Sequence, residues 1–236
     1  MTARKTKIFA TIGPSSKHKE TLEKMVNEGL DVIRINSAYG NEAQYEEILS
    51  NLEAVDKKGK VKKVFDIKET DKLEFCKKHK FEFIAISFTE TKEQVLEVKN
   101  KFPDVFIISK IESVKGVRNY PEILEASDGI MVARGDLSTA VTLEKVPPLQ
   151  KKFTKMALEN NRFVVAATEM LMSMVKDKTP TNAEVSDVAN AVFDGAHAVM
   201  LSEETAIGDY PVESVAYMRK IVEEAEKWCD TNECRI

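Results

Sequence analysis

Eight short runs rich in isoleucine, valine and phenylalanine recur along the chain, at residues 7–12, 31–36, 62–67, 82–88, 105–111, 129–134, 162–167 and 198–202. Their nearly continuous apolar character is the pattern of parallel strands covered on both faces. Between them lie stretches with helical spacing, at 15–29, 42–58, 90–102, 145–160, 182–194 and about 211–228. Strand and helix therefore alternate. Eight such units within 236 residues fit a closed barrel, whose usual span is roughly 200 to 400 residues. The expected fold is α/β, a single (β/α)8 TIM barrel over residues 1–236. An open doubly wound sheet is the competing arrangement, but it usually carries a glycine-rich phosphate loop after its first strand, and neither GxGxxG nor GxxxxGK[ST] occurs here.

Composition narrows the class further. The chain is 43% apolar and 31% charged, with a net charge of −4, as expected of a soluble globular protein. No window approaches the roughly 18 consecutive apolar residues of a membrane span, and the first residues lack the apolar stretch of a signal peptide. Three cysteines, Cys76, Cys229 and Cys234, form no CxxC pair, which favours reduced thiols and a cytoplasmic location over disulfides or a cysteine-type zinc site. Residues 1–120 carry 23 basic and 19 acidic side chains, and residues 121–236 carry 12 and 20. The lysine-rich stretch Lys57–Lys80 interleaves acids and lacks a stacking platform, so it reads as a solvated helix face and no nucleic-acid partner is expected.

In such a barrel, chemistry belongs at the C-terminal ends of the strands. There the sequence places Arg34 and Asn36, Asp66 and Lys68, Ser87, Lys110 and Glu112, Arg134 and Asp136, Thr168 and Glu169, and Ser202 with Glu203 and Glu204. Lys110 and Glu112 are two apart on a strand and so share a face; the same spacing is expected to bring Arg134 and Asp136 together. Glu112 and Asp136 are too few to cage calcium, but they suit magnesium or manganese, which keep positions open for water and substrate oxygens. Lys110 beside them fits stabilisation of an oxyanion or a transferring phosphoryl group. An internal Lys110–Glu112 ion pair that merely plugs the barrel is the bland alternative. Gly135-Asp136-Leu137 either opens a helical turn whose N–H groups hold an acid, or simply caps it. Arg34 either grips a phosphate or carboxylate, or pairs with a neighbouring acid. His18, His79 and His197 show no ligand spacing, and the run Met170–Met174 reads as packing.

Several segments resemble the pyruvate kinase family. They are Thr6-Lys-Ile-Phe-Ala-Thr-Ile-Gly-Pro-Ser15, Ile108-Ser-Lys-Ile-Glu112, Asp128-Gly-Ile-Met-Val-Ala-Arg-Gly-Asp-Leu137, Ala167-Thr-Glu-Met-Leu-Met-Ser-Met174, the stretch 180–191, Met200-Leu-Ser-Glu-Glu-Thr-Ala206 and Gly208-Asp-Tyr-Pro-Val212. The matches run from about residue 5 to 225. The resemblance implies phosphoryl transfer between phosphoenolpyruvate and ADP. Lys110 would neutralise the phosphoryl group and the enolate, and Glu112 and Asp136 would ligate Mg²⁺ or Mn²⁺. Arg34 would hold the phosphoryl group, and the backbone of Ala133, Arg134, Gly135 and Asp136 the substrate carboxylate. Thr168 would lie on the proton-transfer side, and Ser87 within the substrate site.

The departures from the family are also specific. Family members insert a lid domain after the third strand and add a C-terminal effector domain. Here Asp66-Ile-Lys-Glu-Thr70 leads straight into a short helix at about 70–80, so a bare barrel is expected. Loss of a lid that excludes water threatens transfer to ADP more than substrate binding. The family's monovalent-cation ligands correspond to Asn36, Ala38, Asp66 and Ile67, which leaves a remnant pair, Asn36 and Asp66, and predicts independence of K⁺. Tyr39, Ser138 and Glu203 replace a histidine and two glycines of the family pattern; Glu203 adds charge that disfavours ADP or ATP. Three functions stay open: a weakened phosphotransferase, a metal-dependent lyase or decarboxylase of 2-oxo acids working through an enolate, and a non-catalytic phosphoenolpyruvate-binding or scaffold protein. A homo-oligomer is compatible with each.

Overall fold

The structure, a computed structural model, describes residues 4–68 and 72–232. Eight strands, β1 (Lys7–Thr11), β2 (Val32–Asn36), β3 (Lys62–Ile67), β4 (Phe83–Ile86), β5 (Phe106–Ile111), β6 (Gly129–Ala133), β7 (Phe163–Ala167) and β8 (Ala198–Leu201), pair in sequence order. β8 closes on β1 through the register Ile8 to Val199 and Ala10 to Leu201, and all neighbours are parallel. The chain is thus a closed (β/α)8 barrel, and the open sheet is excluded.

Within each apolar run the side chains still alternate. Ile8, Ala10, Ile33, Ile35, Phe65, Ile67, Ile84, Ile86, Ile107, Ile111, Ile130 and Val132 point outward into the layer beneath the helices. Phe9, Val32, Val64, Ala85, Ile108, Met131, Val165 and Met200 fill the interior as a separate cluster. At the N-terminal end the interior is closed by Phe83, Phe106 and Phe163, with ring centroids 5.5 and 5.9 Å apart in edge-on contacts. Such pairs favour edge-to-face packing because ring faces are negative and edges positive.

The long helices are α1 (Lys19–Asn27), α2 (Glu42–Val55), α4 (Lys92–Lys101), α8 (Val146–Glu159), α9 (Asn182–Phe193) and α11 (Pro211–Asn232), with the short α3 (Leu73–His79) after β3. Asn41 and Thr181 start α2 and α9 with reciprocal capping boxes to Gln44 and Glu184, satisfying N–H groups that a first turn leaves without partners. Helical spacing at 15–29 overshoots: Gly13–Ser16 is a turn in which Ser16 Oγ accepts from Gly13 N, and α1 begins at Lys19. Four further helices follow strands, α5 (Val114–Arg118), α6 (Tyr120–Ala126), α7 (Arg134–Val141) and α10 (Glu203–Ala206). At four to eight residues they are too short to express a clear 3.6-residue period.

The stretch Lys57–Lys80 is not one helix face. It spans the exposed turn after α2, all of β3 and then α3, and its lysines are solvated on three different elements. Cys76 is buried against the β3 side of the core, where loss of solvation pushes its thiol up to about 12. Cys234 lies outside the described residues. Among the described residues no helix is long and apolar enough to cross a membrane.

Candidate active site at the C-terminal mouth

The interior rows of the barrel change character along the strands. Two residues beyond Phe9, Val32, Val64 and Ile108, on the same inward face, stand Thr11, Arg34, Asp66 and Lys110. Glu112 continues the β5 row by one further step. All five are less than 10% exposed.

Asp66 is the hub of this layer. Its Oδ2 accepts from Arg34 Nε (2.9 Å) and Nη2 (2.7 Å) and lies 3.0 Å from Lys110 Nζ, while its Oδ1 accepts from Ser87 Oγ at 2.7 Å. Arg34 Nη1 donates to Thr11 Oγ1, which donates to the Leu201 carbonyl, tying β1, β2, β3 and β8 together. Lys110 Nζ sits between Asp66, Glu112 Oε1 (2.9 Å) and Ser87 Oγ (3.2 Å). Two cations face two carboxylates, so the layer is neutral as a whole. Burial alone would raise the Asp66 carboxyl, but the charges of Lys110 and Arg34 and the bonds from Ser87 and Arg34 outweigh it and hold the group below the ordinary aspartate value. At Glu112 burial wins over Lys110 and the Phe88 N–H, and the carboxyl is raised.

The Lys110–Glu112 pair expected from the spacing is therefore present, and it extends into a four-ion cluster. Glu112 Oε2 accepts from Phe88 N at 2.6 Å. Its Oε1 is buried with no aligned hydrogen-bond donor, although the Lys110 ammonium is near.

Arg134 and Asp136 do not share a strand face. β6 ends at Ala133 and both residues belong to the first turn of α7, where positions two apart diverge by more than a right angle. Asp136 is exposed on that turn, over the end of β6. Arg134 is buried and turned toward the neighbouring β7 loop: Nε and Nη2 donate to the Thr168 carbonyl at 2.9 and 2.6 Å, Nη2 to the Glu169 carbonyl at 2.7 Å, and Nη1 to Asp187 of α9. Thr168 Oγ1 accepts from Gly135 N at 2.8 Å and donates to the Ala167 carbonyl. Asn36 Oδ1 accepts from Ala38 N, and both Asp66 oxygens are taken, so the expected remnant cation pair is committed to the protein itself.

Part of the backbone strain lies at the same end. Phe88, Thr168 and Glu169, directly after β4 and β7, have φ of 48°, 68° and 52°, a region costly for bulky and β-branched residues. Such outliers persist where surrounding structure over-determines them and cluster at functional sites. Glu204 adds to that support: fully buried, it accepts from Leu171 N (2.9 Å) and Ser202 N (2.7 Å) and so couples the β7 and β8 loops, while the adjacent Glu203 is exposed. Thr11, the central role of Asp66 and the structural role of Glu204 were not singled out from sequence. A strict two-residue count inward from each apolar interior position would have found Thr11 and Asp66; no local signal marks Glu204.

The histidines lie elsewhere. His18 caps α1, His79 ends α3, and His197 precedes β8, where its Nδ1 accepts from Val164 N. Met170, Leu171 and Met174 are buried in the core, and Met172 is partly exposed.

Fold and mouth together define a TIM-barrel protein with a charged, strained C-terminal site. Residues 3–67 and 63–215 match the family description "Pyruvate kinase, barrel domain", with the two segments meeting at the end of β3. The pyruvate kinase of Thermococcus litoralis is 32% identical over 335 aligned residues, covering 96% of this chain and 70% of the relative. Those of Chlamydia muridarum (46% over 168 residues) and Dictyostelium discoideum (48% over 180) cover 69% and 75% of this chain. This chain spans only 35% and 34% of those two relatives' lengths. The chain belongs to the pyruvate kinase family. The Thermococcus alignment is longer than this chain's 236 residues, so that relative carries residues with no counterpart here.

Proposed function

We propose that the mouth binds phosphoenolpyruvate or pyruvate with a divalent cation and stabilises the enolate between them, and that transfer of the phosphoryl group to and from ADP is slow. The observation that carries this reading is Lys110: a buried ammonium fixed among Asp66, Glu112 and Ser87 at the C-terminal end of β5. A cation pre-positioned where negative charge develops is worth far more than the same cation in water, because nothing has to reorganise as the charge forms.

Two carboxylates completed by water and substrate oxygens would suit a magnesium- or manganese-sized ion. Among the described residues no three carboxylate, histidine or cysteine side chains come together. Glu112, whose Oε1 pairs with Lys110 in the ligand-free protein, and the exposed Asp136 would hold such an ion, leaving the remaining positions to water and substrate. Such an ion, when bound, supplies Lewis-acid charge for the enolate oxygen. Lys110 shares that negative charge and neutralises the phosphoryl group. Arg34, its guanidinium held by Asp66 and Thr11, orients the phosphoryl side. The backbone of Ala133, Arg134, Gly135 and Asp136 at the start of α7 receives the substrate carboxylate, with Ser87 lining the cavity. Thr168, already hydrogen-bonded to Gly135 N, would lie on the proton-transfer side of the enolate.

Weak transfer to nucleotide follows from the link between β3 and α3. β3 ends at Ile67 and α3 begins at Leu73, so no inserted domain covers the mouth from that edge. Without cover, water competes for the phosphoryl group, whereas enolate formation needs only Lys110, Glu112 and Asp136. The same observation favours a second reading, enolate chemistry on a 2-oxo acid with no nucleotide. Both substituted ligand positions of the monovalent site and the engagement of Asp66 by Arg34, Lys110 and Ser87 support activity without K⁺.

A lactate-dehydrogenase-coupled assay with Mg²⁺, with and without K⁺, tests the phosphotransferase. Wild type is expected to turn over slowly and independently of K⁺, and Lys110→Met to lose about 10²–10³-fold, the usual cost of removing one fixed oxyanion donor. Equal rates for the two proteins overturn the role of Lys110.

A further inference from the structure

Thr168 and Glu169 are the only adjacent pair of non-glycine residues with positive φ among the described residues. One is β-branched, and neither gains from the conformation by itself. Something must hold this turn, and the contacts identify it. Arg134 uses four of its five N–H groups: three bonds run to the carbonyls of Thr168 and Glu169 and one to Asp187. The side chain is buried, and its charge is paired with Asp187 of α9. From the next residue, Gly135 N donates to Thr168 Oγ1.

We infer that Arg134 is a positioning residue: its guanidinium clamps the two carbonyls of the β7 turn, keeps that turn left-handed and so presents Thr168 Oγ1 to the start of α7, and it makes no direct contact with an anionic substrate. The idea rests on the proposed enolate site only for its functional consequence, since the clamp itself is a property of the ligand-free protein. Planar, bidentate geometry explains why arginine stands here: a lysine keeps the charge but reaches one carbonyl at a time. Asp187, on the far side, fixes the fork and balances its charge.

Glycine supplies the test, because it adopts positive φ without the steric cost other residues bear. Glu169 is exposed and is a suitable site for relief of the strain. Four proteins are compared with wild type: Arg134→Met, Arg134→Lys, Glu169→Gly and the double variant Arg134→Met/Glu169→Gly. The readouts are Tm and amide hydrogen exchange at residues 168–171 without ligand, and calorimetric binding of oxalate with Mn²⁺. Arg134→Met and Arg134→Lys are both expected to lower Tm by at least roughly 2–4 °C, to speed exchange in the turn and to weaken oxalate at least about tenfold. Glu169→Gly in the double variant should restore half or more of each loss. If Arg134→Met does not fold, Asp187→Ala, which leaves the fork but removes its anchor, should show a smaller loss with the same recovery.

Arg134→Lys retaining wild-type oxalate affinity while Arg134→Met loses it would show a charge contact and overturn the inference. Failure of Glu169→Gly to recover Tm or exchange would overturn it equally. If wild type binds no oxalate, the enolate reading fails, and the ligand-free readouts still decide the clamp.

Discussion

The two ends of the barrel are built from the same inward-facing rows and could hardly differ more. At the N-terminal end Phe9, Phe83, Phe106 and Phe163 close the interior with rings 5.5 to 6.4 Å apart. Toward the C-terminal end the inward-facing positions instead hold Arg34, Asp66, Lys110 and Glu112, all buried. Apolar packing of the first kind is cheap to maintain, whereas buried ions repay their desolvation only when each is paired and hydrogen-bonded. The mouth also carries the left-handed Phe88, Thr168 and Glu169. One end supplies stability, and the other spends some of it on a fixed arrangement of charge.

Removing the hub should break that arrangement most severely. Asp66→Ala leaves Arg34 and Lys110 buried without their shared carboxylate, and is expected to cost about 3–5 kcal/mol in denaturant unfolding, as for other broken buried pairs. Lys110→Met should cost clearly less, because the excess negative charge it leaves is discharged when Glu112, whose carboxyl is already raised by burial, takes a proton. If the two variants are equally unstable, Asp66 is not the hub. At the opposite end, Phe9→Leu is expected to cost about 1–1.5 kcal/mol as a near volume-conserving swap, with Mn²⁺–oxalate affinity unchanged; a change in affinity would mean the two ends are energetically coupled.

The smallest effect is the pH dependence. Glu112 has a raised folded value, so its neutral form favours the native state; that contribution is complete below the ordinary glutamate value and is lost as pH rises through the raised one. Asp66 has a lowered value, so its contribution is present above the ordinary aspartate value and is lost as pH falls through the lowered one. Glu112→Gln should therefore flatten the fall of Tm on the alkaline side of the ordinary carboxylate range, and leave the acid limb in place. A profile identical to that of wild type would place the titration elsewhere.

The barrel itself was legible in sequence because eight apolar runs separated by helical stretches leave few arrangements that bury every strand on both faces. The Lys110–Glu112 pair was legible for the same reason, since strand periodicity fixes which side chains share a face. Arg134 and Asp136 were misplaced because β6 gives way to α7 at Ala133, and a two-residue spacing means opposite things in a strand and a helix. Asp66 stood out in sequence only as one strand-end acid among several and as a remnant cation ligand. Its centrality arises from Arg34 on β2, Lys110 on β5 and Ser87 just after β4, contacts that local spacing does not encode. The structural role of Glu204, named in sequence only as a strand-end acid, escaped notice because its partners are backbone N–H groups of two loops.

The central claim is that the mouth stabilises an enolate, and exchange of the pyruvate methyl protons tests it without nucleotide or cover. In D₂O with Mg²⁺, followed by NMR, wild type is expected to bleach the methyl signal well above the protein-free rate, and Lys110→Met, checked for native circular dichroism, to slow that exchange by about 10²-fold or more. Wild type and Lys110→Met both exchanging at the protein-free rate would contradict the account.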